Sequence, residues 1–134
     1  MVSAFPNYSP EKRLAIEKAY YKHLCDLIIE TVAQVRQQGF PITFTQVGNA
    51  SSKSVGDYEL QSKEKFASYV KEGWLNFEPT LSHEKIPEVL SSSDLFIHAF
   101  QGSLDKTTVE AVLMGLPLIS INHEVNNFFA DQFD

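Results

Sequence analysis

The chain has 134 residues and a net charge of −6, which fit one domain with a real hydrophobic core and disfavour nucleic acid as the main partner. Hydrophobic residues make up 43% of the chain and charged residues 21%, as in ordinary globular proteins. No apolar run approaches the roughly 20 residues that span a bilayer, so we expect no membrane-spanning segment. The first residues lack the pattern of a signal peptide, so we expect none there.

Predicted strands and helices alternate along the chain. Short apolar and β-branched runs predict strands, and apolar residues repeated every three to four positions predict helices. The predicted strands are 2–5, 42–48, 75–81, 94–100 and 116–122. The predicted helices are 10–38, 60–72 and 84–91, a fourth between 103 and Gly115, and a fifth that begins near His123. A polar loop is expected at 48–57. The alternation predicts an α/β fold with a doubly wound parallel sheet of about five strands.

The long first helix carries the single cysteine of the chain. Its apolar residues recur at helical spacing and indicate its buried face: Leu14, Tyr21, Leu24, Ile28, Val32 and Val35. Cys25 lies on this helix, and one cysteine cannot form an internal disulfide. We therefore expect a buried structural thiol and a reducing, cytoplasmic compartment.

The stretch "SLDKTTVEAVLMGLPLIS", residues 103–120, contains a predicted helix that Gly115 and Pro117 would end. Glu110 on this helix has two interpretations. With Thr107 it has the spacing of a capping box. A carboxylate near a helix N-terminus can also accept two hydroxyl groups of a ligand whose anionic part is attracted to the helix amides. In the common dinucleotide-binding strand order, the loops at 6–12 and 101–108 meet at the ligand crevice.

"IPEVLSSSDLFIHAF" and "SLDKTTVEAVLMGLPLIS" together resemble the C-terminal, nucleotide-sugar-binding domain of GT-B-fold glycosyltransferases of family four. The segments "ITFTQVGNA" and "LNFEPTLSHEKIPEVL" match the preceding parts of that domain in order and spacing. The resemblance implies a single Rossmann-like donor-binding domain over residues 1–134, a fragment of a longer protein that lacks the N-terminal acceptor domain. We expect such a fragment to be inactive alone.

The resemblance also implies an activity. It is that of a hexosyltransferase of the retaining type, which moves a sugar from a nucleotide diphosphate to an acceptor in the biosynthesis of cell-surface polysaccharides or glycoconjugates. The nucleotide sugar is then a donor substrate, and no cofactor is expected. The histidines His23, His83 and His123 have no partners at metal-ligand spacing, so no metal is expected either. The resemblance is compatible with peripheral membrane association of the full protein.

The site residues follow from the same resemblance. Glu110 corresponds to the family glutamate that accepts hydrogen bonds from the ribose hydroxyls, and the preceding loop offers amides to the diphosphate. Lys12 aligns with a phosphate-binding lysine, and Lys106 could neutralise the diphosphate from the opposite loop, although both are also ordinary surface lysines. The predicted donor-binding residues are Glu110, Lys12, Ser103, Leu104, Lys106, Thr107, Thr108 and Gly48.

The sequence departs from the family pattern at two positions. Gly102 replaces the first glutamate of the paired-glutamate motif, and Pro6 stands where an arginine is expected. Asp105 is then the candidate for the missing catalytic carboxylate, while His98 is expected to be a hydrogen-bonded core residue. The departures leave an alternative open, a non-catalytic α/β module that serves protein interaction. A flavodoxin-like or receiver-like domain is disfavoured because the expected acidic cluster at the strand ends is missing.

Overall fold

A computed structural model of the chain describes residues 9–48, 53–99 and 104–130. Within these ranges the elements are α1 (Pro10–Gln37), β1 (Phe44–Val47), α2 (Lys53–Lys65), α3 (Ala67–Lys71), β2 (Leu75–Glu78), α4 (Ile86–Ser91), β3 (Phe96–His98), α5 (Lys106–Leu113), β4 (Leu118–Ser120) and α6 (His123–Ala130). None of these helices has both the length and the apolarity to cross a bilayer.

The described residues form two compact units. The N-terminal unit holds 9–48 and 53–81, and the C-terminal unit holds 82–99 and 104–130. Each unit contains one parallel strand pair, β1 with β2 and β3 with β4. The alternating α/β order and the parallel pairing are therefore confirmed, but the described strands do not show one continuous sheet of about five strands. The strand predicted at 2–5 lies outside the described residues.

The long helix α1 forms as the sequence predicts. Ser9 caps it by accepting a hydrogen bond from the Lys12 amide at 3.3 Å, and Pro10 occupies a first-turn position that needs no amide donor. The helix ends before Gly39, whose φ of 97° suits glycine. Its buried face forms the core of the N-terminal unit with Phe66, which precedes α3, and with the start of β2. That core contains Ile29, Val32, Ala33, Phe66, Trp74 and Leu75.

The segment before β2 differs from the prediction. A loop was expected at 48–57 and a helix at 60–72, whereas α2 already begins at Lys53 and the helix is interrupted at Phe66. Phe66 is 3% exposed, so core packing fixes the position of this break. The strand predicted at 75–81 is also shorter, because Pro79 follows Glu78 and has no amide for a ladder hydrogen bond.

Cys25 is a free thiol of intermediate exposure rather than a fully buried one. Burial, reinforced by the neighbouring charge of Asp26, raises the pKa of its thiol to about 11. A thiol that stays protonated near neutral pH is a poor nucleophile, so Cys25 behaves as a structural residue.

The C-terminal unit is the predicted β-α-β arrangement. Phe96 of β3 lies opposite Leu118 of β4, and α5 connects the two strands. Gly115 ends α5 with a φ of 79°. Its amide bonds the Val112 carbonyl at 2.9 Å, and the Leu116 amide bonds the Ala111 carbonyl at 3.0 Å. This is a Schellman motif, and it confirms the helix end that Gly115 predicted.

Candidate functional site

Polar contacts link the ends of β3 and β4 to the start of α5. His98, the last residue of β3, is 7% exposed, and its Nδ1 lies 3.4 Å from Ser120 Oγ at the end of β4. Its Nε2 lies 3.6 Å from Asp105 Oδ2. The ring thus shares a hydrogen bond with the Ser120 hydroxyl through Nδ1, and its Nε2 faces the Asp105 carboxylate. His98 is thus the hydrogen-bonded core residue that the sequence predicted.

Asp105 caps α5. Its Oδ1 accepts a hydrogen bond from the Thr107 amide at 3.2 Å, and its backbone carbonyl accepts from the Thr108 and Val109 amides at 3.1 and 3.3 Å. His98 lowers the pKa of the Asp105 carboxyl against the opposing effect of burial. Asp105 therefore caps α5 through Oδ1, while its Oδ2 faces the His98 ring and its side chain stays 45% exposed.

This cap overturns one interpretation of Glu110. In a capping box the glutamate lies three residues after the cap. The cap is Asp105 instead of Thr107, so Glu110 is the fifth residue of α5 and cannot reach back to the cap amide as the box requires. The capping-box interpretation of Thr107 and Glu110 is wrong.

Glu110 lies instead between two nitrogen-bearing side chains. Its Oε1 is 3.8 Å from Lys106 Nζ, one turn earlier on α5, and 3.9 Å from His83 Nδ1 in the turn before α4. The Glu110 side chain is 29% exposed, and those of Lys106 and His83 are 71% and 74% exposed. We call His83, Lys106 and Glu110 the Glu110 cluster. It is open to a ligand and combines an acceptor with positive charge.

The amides at the start of α5 are less available than the sequence suggested. Those of Thr107 and Thr108 already donate to Asp105. The Thr108 side chain is fully buried, and its hydroxyl has no hydrogen-bond partner within the described part of the chain. A ligand cannot reach that hydroxyl, whereas the Lys106 ammonium is exposed and can donate to an anion.

The other predicted site residues are not part of this cluster. Leu104 and Thr107 are half-buried beside Asp105 at the start of α5, and Ser103 lies outside the described residues. Lys12 and Gly48 belong to the N-terminal unit, where Lys12 is exposed in the first turn of α1 and Gly48 follows β1 with a φ of 118°. Their part in a ligand site stays a prediction.

His83 was missed by the sequence interpretation, which considered it as a metal ligand alone. The signal that could have found it is its place in the connection after β2, because α/β folds bind ligands outside the carboxyl ends of their strands. Its contact with Glu110 joins residues far apart in the sequence and could not be read from local spacing.

Residues 14–132, most of the chain, match the family described as "Glycosyl transferases group 1". The matched region includes every residue of the Glu110 cluster and of the polar contacts around His98. No curated protein and no solved structure matches the chain.

Proposed function

This chain belongs to the glycosyl transferases group 1 family, and from that premise we propose that its C-terminal unit binds the nucleotide of a sugar donor. Family membership supports sugar transfer as the activity of the protein. The observation that carries the proposal is the position of Glu110, a partly exposed carboxylate that has no capping role and lies beside an exposed lysine.

Glu110 is proposed to accept hydrogen bonds from the ribose hydroxyls. Among the described residues both of its charged contacts involve Oε1, so Oε2 is available to a hydroxyl donor. A carboxylate has enough lone pairs to accept two hydroxyl groups at once. Hydrogen bonds to an ionised group are stronger than those between neutral groups, which suits a residue that must hold a small polar ligand.

Lys106 is proposed to face the diphosphate. Its ammonium is exposed and lies on the same helix face as Glu110, one turn closer to the helix start. A fixed positive charge stabilises the negative charge that develops on a departing diphosphate. In this proposal the lysine takes the place of a metal ion, and the role of Asp105 is to orient α5 by capping its first turn through Oδ1.

The proposed reaction of the whole protein is hexosyl transfer with retention of configuration. The donor is a nucleoside-diphosphate sugar, and the acceptor is held by another domain. The reaction is proposed to take place in the cytoplasm, as a step in building a polysaccharide or glycoconjugate.

The test is a titration of the chain with UDP, GDP and ADP by calorimetry and by chemical-shift mapping of the α5 amides. We expect weak binding of one of them, with shifts at Lys106 and Glu110. Glu110→Gln removes a charge-assisted acceptor worth about 1.5–3 kcal/mol, so the Kd should rise roughly ten- to hundredfold. Glu88→Gln, at an exposed glutamate of α4, is the matched control and should leave the Kd unchanged.

The second candidate function is a non-catalytic interaction module of the same fold. The observation that favours it is Gly102, which stands where the family pattern has its first glutamate. The titration separates the two functions. If none of the three nucleotides perturbs α5 at millimolar concentration, the interaction module is the better account. If Glu110→Gln binds as tightly as the unaltered chain, Glu110 does not hold the nucleotide.

A further inference from the structure

The charges of the Glu110 cluster do not balance when His83 is protonated. Lys106 and His83 both lie within 3.9 Å of the same oxygen, Glu110 Oε1. One carboxylate cancels one positive charge, so the cluster is neutral with a neutral imidazole and carries a charge of about +1 with a protonated one. Imidazole is the side chain whose charge ordinarily changes between about pH 5 and 8.

We propose that His83 is a further donor-binding residue, whose protonation adds the second positive charge that holds the anionic diphosphate of the donor beside Lys106. The inference rests on the proposed function, because it takes the nucleotide to be bound at Glu110. His83 then sets the affinity for the donor and the pH dependence of that affinity, and it takes no part in making or breaking bonds.

The surroundings of His83 support this role. Its side chain is 74% exposed, so it can turn toward a ligand and is not held by packing. The charged residues next to it on its own segment are Glu84 and Lys85, which cancel each other, and α4 adds the exposed Glu88. The groups facing it from α5 are Lys106 and Glu110. The Asp105 carboxylate, at the cap of that helix, accepts from the Thr107 amide and lies 3.6 Å from His98.

His98 is not expected to produce the same effect. It is 7% exposed and lies between Ser120 and Asp105, both of which belong to the fold. A ligand bound at Glu110 therefore meets the exposed imidazole of His83 rather than the buried imidazole of His98.

The test measures donor binding at pH 6 and pH 8 with probes that carry a constant charge. Nucleoside-diphosphate sugars serve this purpose, because their diphosphate is esterified at both ends and has no group that titrates in this range. UDP-glucose, GDP-mannose and ADP-glucose are the probes, and the nucleosides uridine, guanosine and adenosine are their phosphate-free counterparts. We compare the unaltered chain with His83→Gln and with His123→Gln, the matched control at the exposed histidine that begins α6.

We expect the unaltered chain and His123→Gln to bind a sugar nucleotide about two- to fivefold more tightly at pH 6 than at pH 8, the size of an exposed charge interaction. His83→Gln should bind equally at both pH values, near the affinity of the unaltered chain at pH 8. Nucleoside binding should show no such pH difference, because the added charge acts on phosphate.

Three results would overturn the inference. If His83→Gln keeps the pH difference while Glu110→Gln weakens binding as expected, His83 has no role although the proposed function stands. If the nucleosides show the same pH difference as the sugar nucleotides, the charge of His83 does not act on the diphosphate. If the unaltered chain binds none of the probes, both this inference and the proposed function are wrong.

Discussion

Asp105 stabilises the start of α5 in two ways. One carboxylate oxygen accepts from the Thr107 amide, and the other lies 3.6 Å from the buried His98 ring. The first contact is local to the helix, and the second ties the helix to β3. A negative charge at a helix N-terminus is also favourable, so both contacts and the charge stabilise the start of α5.

The lowered pKa of Asp105 predicts a pH-dependent stability. The folded-state pKa of this carboxyl lies below its unfolded value of about 3.9. Its contribution to stability is therefore complete when the pH is above the unfolded-state pKa, and it is lost as the pH falls through the folded-state pKa. Asp105→Asn keeps a good cap but removes the charge, so its free energy of unfolding should fall less between pH 6 and pH 3 than that of the unaltered chain. Asp105→Ala should also cost about 0.5–2 kcal/mol at neutral pH.

Urea unfolding at several pH values measures both effects. Asp94→Asn, at an exposed aspartate, is the control and should follow the unaltered chain. Parallel pH profiles of Asp105→Asn and the unaltered chain would mean that His98 does not stabilise the ionised carboxyl.

Thr108 predicts an unusual gain in stability. Its hydroxyl is buried without a partner in the described part of the chain, and an unsatisfied buried polar group costs about 1–3 kcal/mol. Thr108→Val has the same shape and no hydroxyl, so the free energy of unfolding should rise by about 1 kcal/mol. Thr107→Val, one residue earlier and half-buried, should change it less. A loss of stability in Thr108→Val would show that the hydroxyl does have a partner.

The contacts of the candidate site were predictable where the spacing of residues along one helix decides which side chains lie close together. Lys106 and Glu110 are four apart on a helix, so their proximity follows from the sequence alone. The cap could not be chosen in the same way, because both Asp105 and Thr107 are good capping residues. His98 sets the choice through a contact from another strand, and His83 joins the cluster through a contact of the same long-range kind.

At the scale of elements, the docking of α2 on α1 depends on one buried carboxylate. Asp26 of α1 is 8% exposed and accepts from Ser62 Oγ at 2.7 Å and from Lys65 Nζ at 3.1 Å. Burial and a hydrogen bond to Asp26 also raise the pKa of Tyr58, a third residue of α2. Three side chains of one helix thus converge on a single acceptor of the other.

Removing one of these donors should weaken the N-terminal unit. Ser62→Ala deletes a hydrogen bond to a buried ionised group, so we expect a loss of about 1.5–3 kcal/mol in the free energy of unfolding, measured by urea titration. Ser68→Ala, at an exposed serine of α3, is the matched control and should change stability by less than about 0.5 kcal/mol. Equal losses in the two variants would mean that Asp26 finds another donor when Ser62 is removed.

The same contacts explain why the first two turns of α2 were not predicted, although a helix was predicted from residue 60 onward, while α1 and the end of α5 were predicted. The segment that starts α2 contains Ser54, Gly56 and Asp57, which favour turns in isolation. Tertiary contacts with Asp26 stabilise the helix despite that composition. The ends of α1 and α5, in contrast, depend on Ser9, Pro10, Gly39 and Gly115, whose effects on the backbone are local.

At the scale of the whole molecule, the alternation of strands and helices predicted parallel pairing but not how far the pairing extends. Parallel order follows from the length of each helical connection, which is local information. The extent of a sheet depends on which strands become neighbours, and that is set by packing of residues distant in sequence. The described strands make two separate pairs, one in each unit, where the sequence predicted a single sheet.

The sequence prediction of one domain is tested by the cooperativity of unfolding. A two-stranded sheet is marginally stable by itself, and each described unit contains one such pair with a few helices. We therefore expect neither unit to stay folded when the other unfolds. The whole chain should then unfold in a single transition. Fluorescence of Trp74, 4% exposed in the core of the N-terminal unit, reports on that unit, because the chain has one tryptophan.

Hydrogen exchange measured by mass spectrometry across the same urea series reports on both units without a substitution. Peptides that cover β1 and β2 should lose protection at the same urea concentration as peptides that cover β3 and β4, and both should coincide with the Trp74 transition. The destabilised Ser62→Ala chain provides a sharper comparison, because its substitution lies in the N-terminal unit alone. If the chain is a single cooperative domain, Ser62→Ala lowers the urea concentration at which all peptides lose protection. A shift confined to the β1 and β2 peptides would mean that the chain consists of two independently folding domains.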